Sequence, residues 1–418
     1  MSGKPLNSTA SATIADQQSS LGSPLSADIC VSGGGVVGGL AALLCARARP
    51  DLSVVVIDAT MPDQLDPRTL ALAHTTLLTL QSAGVDTTRL VSEAAEIQHI
   101  HVSERGGAGS TSLHAATYGL PMLGKVVSAQ TLQEAILHAC QDQANITWLT
   151  QTRLQGLTYH ASKVVLQAEA EQQVDIETKL LVAADGGRSM IRDQLNIARK
   201  EEDYGQTALI ANVTLDRDHQ GWAYERFTEF GPIALLPCGE REMALVWCVP
   251  SADAEHYKGL QDVDFLRTLQ TEFGHRAGRF IGIQGRASYP LYLLLAERVV
   301  FHRTLLIGNA CHTLHPIAGQ GYNLGVRDCV DLAHMVAEQA FAEGDISHRA
   351  LLAYERQRQA DYRRIAGLTD GLVRVFSNRY GPLVAGRNIG LLALRQHPVL
   401  SYPLARAAMG FRNLLGER

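Results

Sequence analysis

Three short runs in this 418-residue chain bring together residue types that could grip a flat, phosphate-bearing ligand. The first, Gly33-Gly34-Gly35-Val36-Val37-Gly38, has the G-x-G-x-x-G form. It lies between the β-branched run Ile29-Cys30-Val31 and a helix-forming stretch over 40–49. Glycines there permit a tight turn, and exposed N–H groups at the helix N-terminus suit a pyrophosphate. Asp58 stands 20 residues beyond Gly38, after Val54-Val55-Val56-Ile57, where a carboxylate can accept hydrogen bonds from a ribose. Gly33, Gly35, Gly38 and Asp58 are therefore candidate dinucleotide ligands, and this spacing does not separate FAD from NAD.

The second run is Ala184-Asp185-Gly186-Gly187-Arg188-Ser189, with Arg192 beyond it. A strand would deliver Asp185 to the turn and place Ser189 and Arg192 on a first helical turn. Taken alone, an ordinary Asp-Gly turn with a Ser cap is the simpler account. The third run says most: Gly308-Asn309-Ala310-Cys311-His312-Thr313-Leu314-His315-Pro316-Ile317-Ala318-Gly319-Gln320-Gly321-Tyr322-Asn323-Leu324-Gly325. Gly319 and Gly321 would let the backbone meet a flat ring closely. The helix N-terminus that follows offers positive potential suited to an anionic reduced flavin, and Asn309 could bond a ribityl hydroxyl. An NAD dehydrogenase has no use for a second loop so far along the chain. His312 and His315 flank this loop and are the candidates for an acid/base role, although loop histidines are more often positional. With no third ligand nearby they do not form a metal pair, so no metal is expected. Cys311 reads as a small packed residue.

Around these runs the pattern is β-α-β at first, with a helix expected over 68–82 and another opened by Thr131-Leu132-Gln133-Glu134 in capping-box form. A buried strand over 179–184 follows. Strand patterns over 207–215, 224–237 and 242–250, with little helix between them, suggest an antiparallel sheet. A strand over 299–307 leads to a helix from about Asn323. Beyond Ser347 the chain reads as helical: Leu351, Tyr354, Tyr362, Ile365, Leu368, Leu372 and Phe376 recur at three- and four-residue steps, interrupted only at Arg358.

The length suits two to three domains, and 46% hydrophobic with 19% charged residues excludes a disordered chain or a fibre. A net charge of −5 argues against nucleic acid. Seven Cys without a C-x-x-C pair point to a reducing compartment. The 18 uncharged residues over 29–46 contain three consecutive glycines and are not a membrane span. Residues 1–26 read as a disordered extension that is neither signal nor transit peptide. Residues 346–418 hold 12 Arg, no Lys and four acids, a pattern of either a solvated helical face or a surface for an anionic partner or membrane.

Taken in order, G-x-G-x-x-G, Asp-Gly-x-x-Ser and Gly-Asn…Pro…Gly-x-Gly resemble the FAD-dependent aromatic hydroxylases typified by p-hydroxybenzoate hydroxylase. The resemblance extends over nearly the whole chain after the N-terminal extension. Arg68-Thr69-Leu70-Ala71-Leu72, His101-Val102-Ser103-Glu104-Arg105-Gly106, Glu225-Arg226-Phe227-Thr228-Glu229, Leu245-Val246-Trp247-Cys248 and Leu314-His315-Pro316-Ile317-Ala318-Gly319-Gln320-Gly321 are similar to the ubiquinone-biosynthesis branch. Asn309 stands where most aromatic hydroxylases carry Asp, a departure that this branch shares.

The resemblance implies an α/β fold. A Rossmann-like FAD domain would take 27–97, 122–203 and 291–345, an antiparallel substrate domain 98–121 and 204–290, and a helical region 346–418. It implies tightly bound, noncovalent FAD and transient NAD(P)H. Asp58 would bind the adenosine ribose, Arg68 would sit beside the flavin, and Gln130 would approach the pyrophosphate-ribityl region. Asp185 would serve both FAD and the NAD(P)H path, Asn309 the ribityl chain, and Gly319, Gly321, Tyr322 and Asn323 the isoalloxazine. The implied activity is hydroxylation of a polyprenylated phenol, such as 2-octaprenyl-6-methoxyphenol, with O2. Its place would be the cytoplasm, with contact to the inner face of the plasma membrane or to a quinone-biosynthesis complex. Sister hydroxylases of other regiospecificity share these motifs. The alternatives from other classes are a non-catalytic FAD-binding scaffold and a flavin halogenase; for the latter the Trp-x-Trp-x-Ile signature is missing, since Trp148, Trp222 and Trp247 stand apart.

Overall fold

The computed structural model describes residues 24–60, 68–88, 90, 95–342, 345–376 and 381–396. Residues 1–23 of the expected extension and the stretch 397–418 lie outside them, while Leu25 and Ser26, expected in that extension, open the first strand because they pair with Ile176 and Glu177. Its α-helices are α1 (Val36–Ala48), α2 (His74–Ser82), α3 (Ala129–Gln141), α4 (Met190–Gln194), α5 (Ala254–Gly259), α6 (Asp262–Phe273), α7 (Gln320–Met335), α8 (His348–Phe376) and α9 (Gly381–Gln396).

Apolar strands without alternation demand cover on both faces. Leu25–Ser32, Val54–Ile57 and the end of Gln173–Ala183 are such strands, and they pair in parallel at the centre of the first sheet. Thr304–Leu306 extends it on one side and Ile146–Leu149 on the other, also in parallel. Helices α1 and α7 cover it, and Leu40, Leu43, Leu324 and Leu332 join its strands in the largest core. The chain is mixed α/β with a parallel, Rossmann-like sheet.

A second sheet runs in the order His312–Thr313, Phe280–Ala296, Arg199–Leu215, Glu242–Pro250, Gly231–Pro237, Trp222–Thr228, His99–Glu104, Ser110–His114. It is antiparallel except where Trp222–Thr228 meets His99–Glu104. One of its faces buries Leu209, Val213, Leu245 and Trp247 against Phe265, Leu269 and Phe273 of α6. The long strand pair 199–215 and 280–296 passes between the two parts of the molecule, with a register shift between Asp203 and Gln206.

Four local expectations need correction. Over 68–82 the first part is a strand, Thr69–Ala73, because it pairs with Gly124–Ser128; only His74–Ser82 is helical. Helix α3 is capped by Ser128, whose Oγ accepts from Thr131 N at 3.5 Å, so Thr131 is not the cap. Helix α7 begins at Gln320, three residues before Asn323, because Gly319 in the left-handed region stops it there. The strand expected over 224–237 is two, Trp222–Thr228 and Gly231–Pro237, paired antiparallel.

Candidate active site

The three glycine-bearing runs leave the same ends of three parallel strands. After Leu25–Ser32 the chain turns at Gly33, with φ +102°, where a Cβ would lie 2.5 Å from Ala184 O. A Cβ on Gly38 would fall 1.8 Å from Gly33 O, so the turn closes only with glycine at both positions. Gly35 differs: a Cβ there would meet nothing within 4 Å. It caps α1 without a side chain, and no acid stands in the first turn, which leaves open donors under positive potential. Asp58 Oδ2 accepts from Gly34 N at 2.9 Å, and Oδ1 accepts from Thr60 N and Oγ1 at 2.9 and 2.7 Å.

Gln173–Ala183 delivers Asp185 beside this turn. Its Oδ2 accepts from Ile191 N at 3.2 Å, while Oδ1 is buried with no hydrogen-bond partner among the described residues. Burial pushes the carboxyl above its usual range, opposed by the hydrogen bonds it receives. Ser189 caps α4 by accepting from Arg192 N at 3.0 Å. Arg192 is fully buried; its Nη1 donates to Ala310 O at 3.0 Å and Nη2 to Gly187 O at 2.9 Å. One guanidinium thus fastens the second run to the third.

After Thr304–Leu306 the chain makes one 3-10 turn, Gly308–Ala310. Between Gly308 and His312, only Asn309 is exposed. Gly319, with φ +59°, caps α7 without a side chain, and again no acid follows in the first turn. A Cβ on Gly321 would meet nothing within 4 Å. Asn323 is committed to the chain: Oδ1 accepts from Ala73 N and Thr76 Oγ1 at 2.9 and 2.7 Å. Its Nδ2 donates to Ala71 O and Gly319 O, both at 2.9 Å. The side chain staples α7 to the strand Thr69–Ala73, leaving its backbone as what it can offer a ligand. Tyr322 is buried, with no partner for its hydroxyl among the described residues, and burial raises its phenol. Arg68 opens the Thr69–Ala73 strand, its carbonyl accepting from Ala129 N at 2.9 Å. Gln130, in the first turn of α3, donates from Nε2 to Glu134 Oε1 at 3.0 Å.

His312 and His315 are both fully buried. His312 Nε2 donates to Asp328 Oδ2 at 2.9 Å, and His315 Nε2 to Gln206 Oε1 at 3.0 Å. Burial lowers the His315 imidazole to about 4, so it stays neutral at physiological pH. Among the described residues no three His, Cys, Asp or Glu are grouped to hold a metal.

These features fit FAD. Two uncapped helix N-termini stand side by side, since a Cβ on Gly308 or on Gly325 would lie 3.0 or 2.9 Å from the Val37 side chain. The chain leaves room beside Gly35 and Gly321, where a pyrophosphate and a ring would approach, and Asp185 holds a buried oxygen for which no described residue supplies a donor. Sequence reasoning noticed Arg192 but missed its bridging. It also missed Gln206 and Asp328, and Asp328, with Arg327 and Asp331 in the same helix, had no signal that set it apart.

Comparison with known proteins agrees. The FAD binding domain family matches residues 26–368. Ubiquinone hydroxylase UbiL of Rhodospirillum rubrum is 34% identical over 92% of this chain and 90% of its own length. The 3-demethoxyubiquinol 3-hydroxylase of Escherichia coli is 28% identical, covering 92% and 98%. Among solved structures, p-nitrophenol 4-monooxygenase PnpA of Pseudomonas putida DLL-E4 superposes with a TM-score of 0.76 at 16% identity. That match covers 93% of this chain and all of PnpA.

Proposed function

This chain belongs to the FAD binding domain family as an FAD-dependent monooxygenase, and from that premise we propose that it hydroxylates the ring of a polyprenylated phenol in ubiquinone biosynthesis. The observation that carries the reading is the meeting of two uncapped helix N-termini with the half-satisfied Asp185 carboxylate. FAD, reduced by NAD(P)H, supplies the chemistry that activates O2, one atom entering the ring and the other leaving as water.

The chain's own part is to hold, orient and keep dry. Gly33, Gly35 and Gly38 with the first turn of α1 would take the pyrophosphate, and Asp58 the adenosine ribose. Asn309 would meet the ribityl chain, with Arg68 and Gln130 bordering the cofactor. The backbone of Gly319, Gly321, Tyr322 and Asn323 would face the isoalloxazine and stabilise negative charge there. The ring of the substrate would enter from the second sheet, where Phe227, Ile317, Phe376 and Leu391 form an apolar wall between sheet, loop and C-terminal helices. Among the described residues no helix is long and apolar enough to cross a membrane. The insoluble polyprenyl tail would be met at an anionic bilayer surface, a reading that the arginine excess of the C-terminal region supports.

The test is direct. The purified protein should be yellow, release FAD on denaturation, and consume NAD(P)H with 2-octaprenyl-6-methoxyphenol or 3-demethoxyubiquinol, the ring position being fixed by mass spectrometry of the product. Flavin that NAD(P)H cannot reduce would favour a scaffold; a colourless protein that cannot be reconstituted with FAD would remove the reading altogether.

A further inference from the structure

Arg358 occupies a position where the apolar stripe of α8 calls for a core residue, and it is fully buried. Its Nε donates to Asp328 Oδ1 at 2.8 Å, and its Nη1 donates to Asp331 Oδ2 and Asp361 Oδ2, both at 2.9 Å. The guanidinium lies 4.8 Å from the Tyr362 ring centroid, and the Tyr362 hydroxyl donates to Asp328 Oδ1 at 2.7 Å. Asp328, on α7, is equally buried, and its two oxygens face opposite ways. Oδ1 takes these donors from the C-terminal helix. Oδ2 accepts from Gly308 N and His312 Nε2, both at 2.9 Å, which are the two ends of the loop that carries Asn309.

Buried ion pairs are a poor source of stability, because well-packed apolar residues often serve as well. A buried polar network in which one carboxylate takes donors from two elements instead favours one geometry. Here the geometry selected is that of the Gly308–His312 loop. We propose that Arg358, acting through Asp328, is a positioning residue for this loop, so that docking of α8 and tight binding of FAD are one event. The proposal rests on the FAD reading above.

Arg358→Lys keeps the charge but loses the planar fork, and Tyr362→Phe removes one donor with little change of volume. Leu351→Ala serves as the comparator: it loosens α8 at a buried position that plays no part in the Asp328 network. FAD affinity of each apoprotein is read by fluorescence quenching, alongside the visible spectrum of bound flavin and the thermal midpoint. Arg358→Lys should weaken FAD about tenfold and shift the flavin bands, with Tyr362→Phe moving the same way by less. Leu351→Ala should stay within about twofold of the parent at an equal or larger drop in midpoint. If Arg358→Lys does not fold, Tyr362→Phe decides. Parent-like affinity and spectrum in the folded Arg358 and Tyr362 variants overturn the proposal, as does an equal loss in Leu351→Ala. A parent that takes up no FAD overturns the cofactor reading as well, which separates the two failures.

Discussion

Half-buried Asp185 in the second run and fully buried His315 in the third each resist their own charge. Burial raises the Asp185 carboxyl above its ordinary value of 3.8, so the folded apoprotein binds its proton more tightly than the unfolded chain does. The stability this supplies is full below the ordinary carboxylate range and is lost as pH rises through the raised value. Asp185→Asn should therefore leave the apoprotein at least as heat-stable as the parent at pH 7–8, while lowering FAD affinity or slowing flavin reduction. Unchanged affinity together with an unchanged reduction rate would show that the Asp-Gly turn is only structural. His315 works in the opposite sense. Its pKa falls from 6.5 to about 4, so its contribution is present above 6.5 and is lost as pH falls toward 4. The thermal midpoint of His315→Gln should decline less steeply than the parent's across that window in a melting series, and parallel slopes would contradict the assignment.

At the scale of elements, the glycine turn separates folding from binding. Ala at Gly38 would drive its Cβ to 1.8 Å from Gly33 O, whereas Ala at Gly35 meets open space at a backbone conformation any residue adopts. Gly38→Ala should give little folded protein. Gly35→Ala should fold with a loss within about 1 kcal/mol yet bind FAD weakly, because its methyl group enters the pyrophosphate cradle; parent-like FAD affinity in a fluorescence titration would place the pyrophosphate elsewhere. This turn was legible in the sequence because glycine spacing, a β-branched strand and a following helix are all local signals. Thr69–Ala73 was not legible as a strand: Leu and Ala suit a helix, and what decides its state is a partner more than fifty residues away. Helix α6 could have been found from Phe265, Leu269 and Phe273 at four-residue steps. Arg358 was visible as a break in a stripe, but Asp328, which gives the break its sense, belongs to another helix and carries no local mark.

In the whole molecule the C-terminal helices join the two sheets. Arg358 fastens α8 to the parallel sheet's cover, while farther along Phe376 stacks on Phe227 of the second sheet with ring centroids 4.0 Å apart. Arg387 pairs with Glu104, and Asn388 Nδ2 donates to the same carboxylate at 2.8 Å, holding α9 on the edge of that sheet. With one side so engaged, apolar residues remain on the other. Leu368 and Val375, two turns apart on α8, are 41% and 37% exposed, and Leu383 and Ile389 of α9 are 44% and 66% exposed. The same region, 346–418, holds 12 Arg against four acids in its sequence. Exposed apolar area in an arginine-rich region suits an anionic bilayer surface, each basic residue adding about 1 kcal/mol near it. The double variant Leu383→Ser, Ile389→Ser should fold normally, since both side chains face solvent, and should float less with phosphatidylglycerol vesicles. The parent's binding should weaken as salt rises, and reversing Arg406 and Arg412, which lie outside the described residues, should weaken it further. Kinetics then separate a membrane role from a catalytic one: KM for a polyprenyl substrate in vesicles should rise in the double variant, while kcat and KM for a short-chain phenol in solution should not move. Equal flotation and equal KM in vesicles would mean that these side chains serve another protein surface, and that the tail of the substrate reaches the site by a different face.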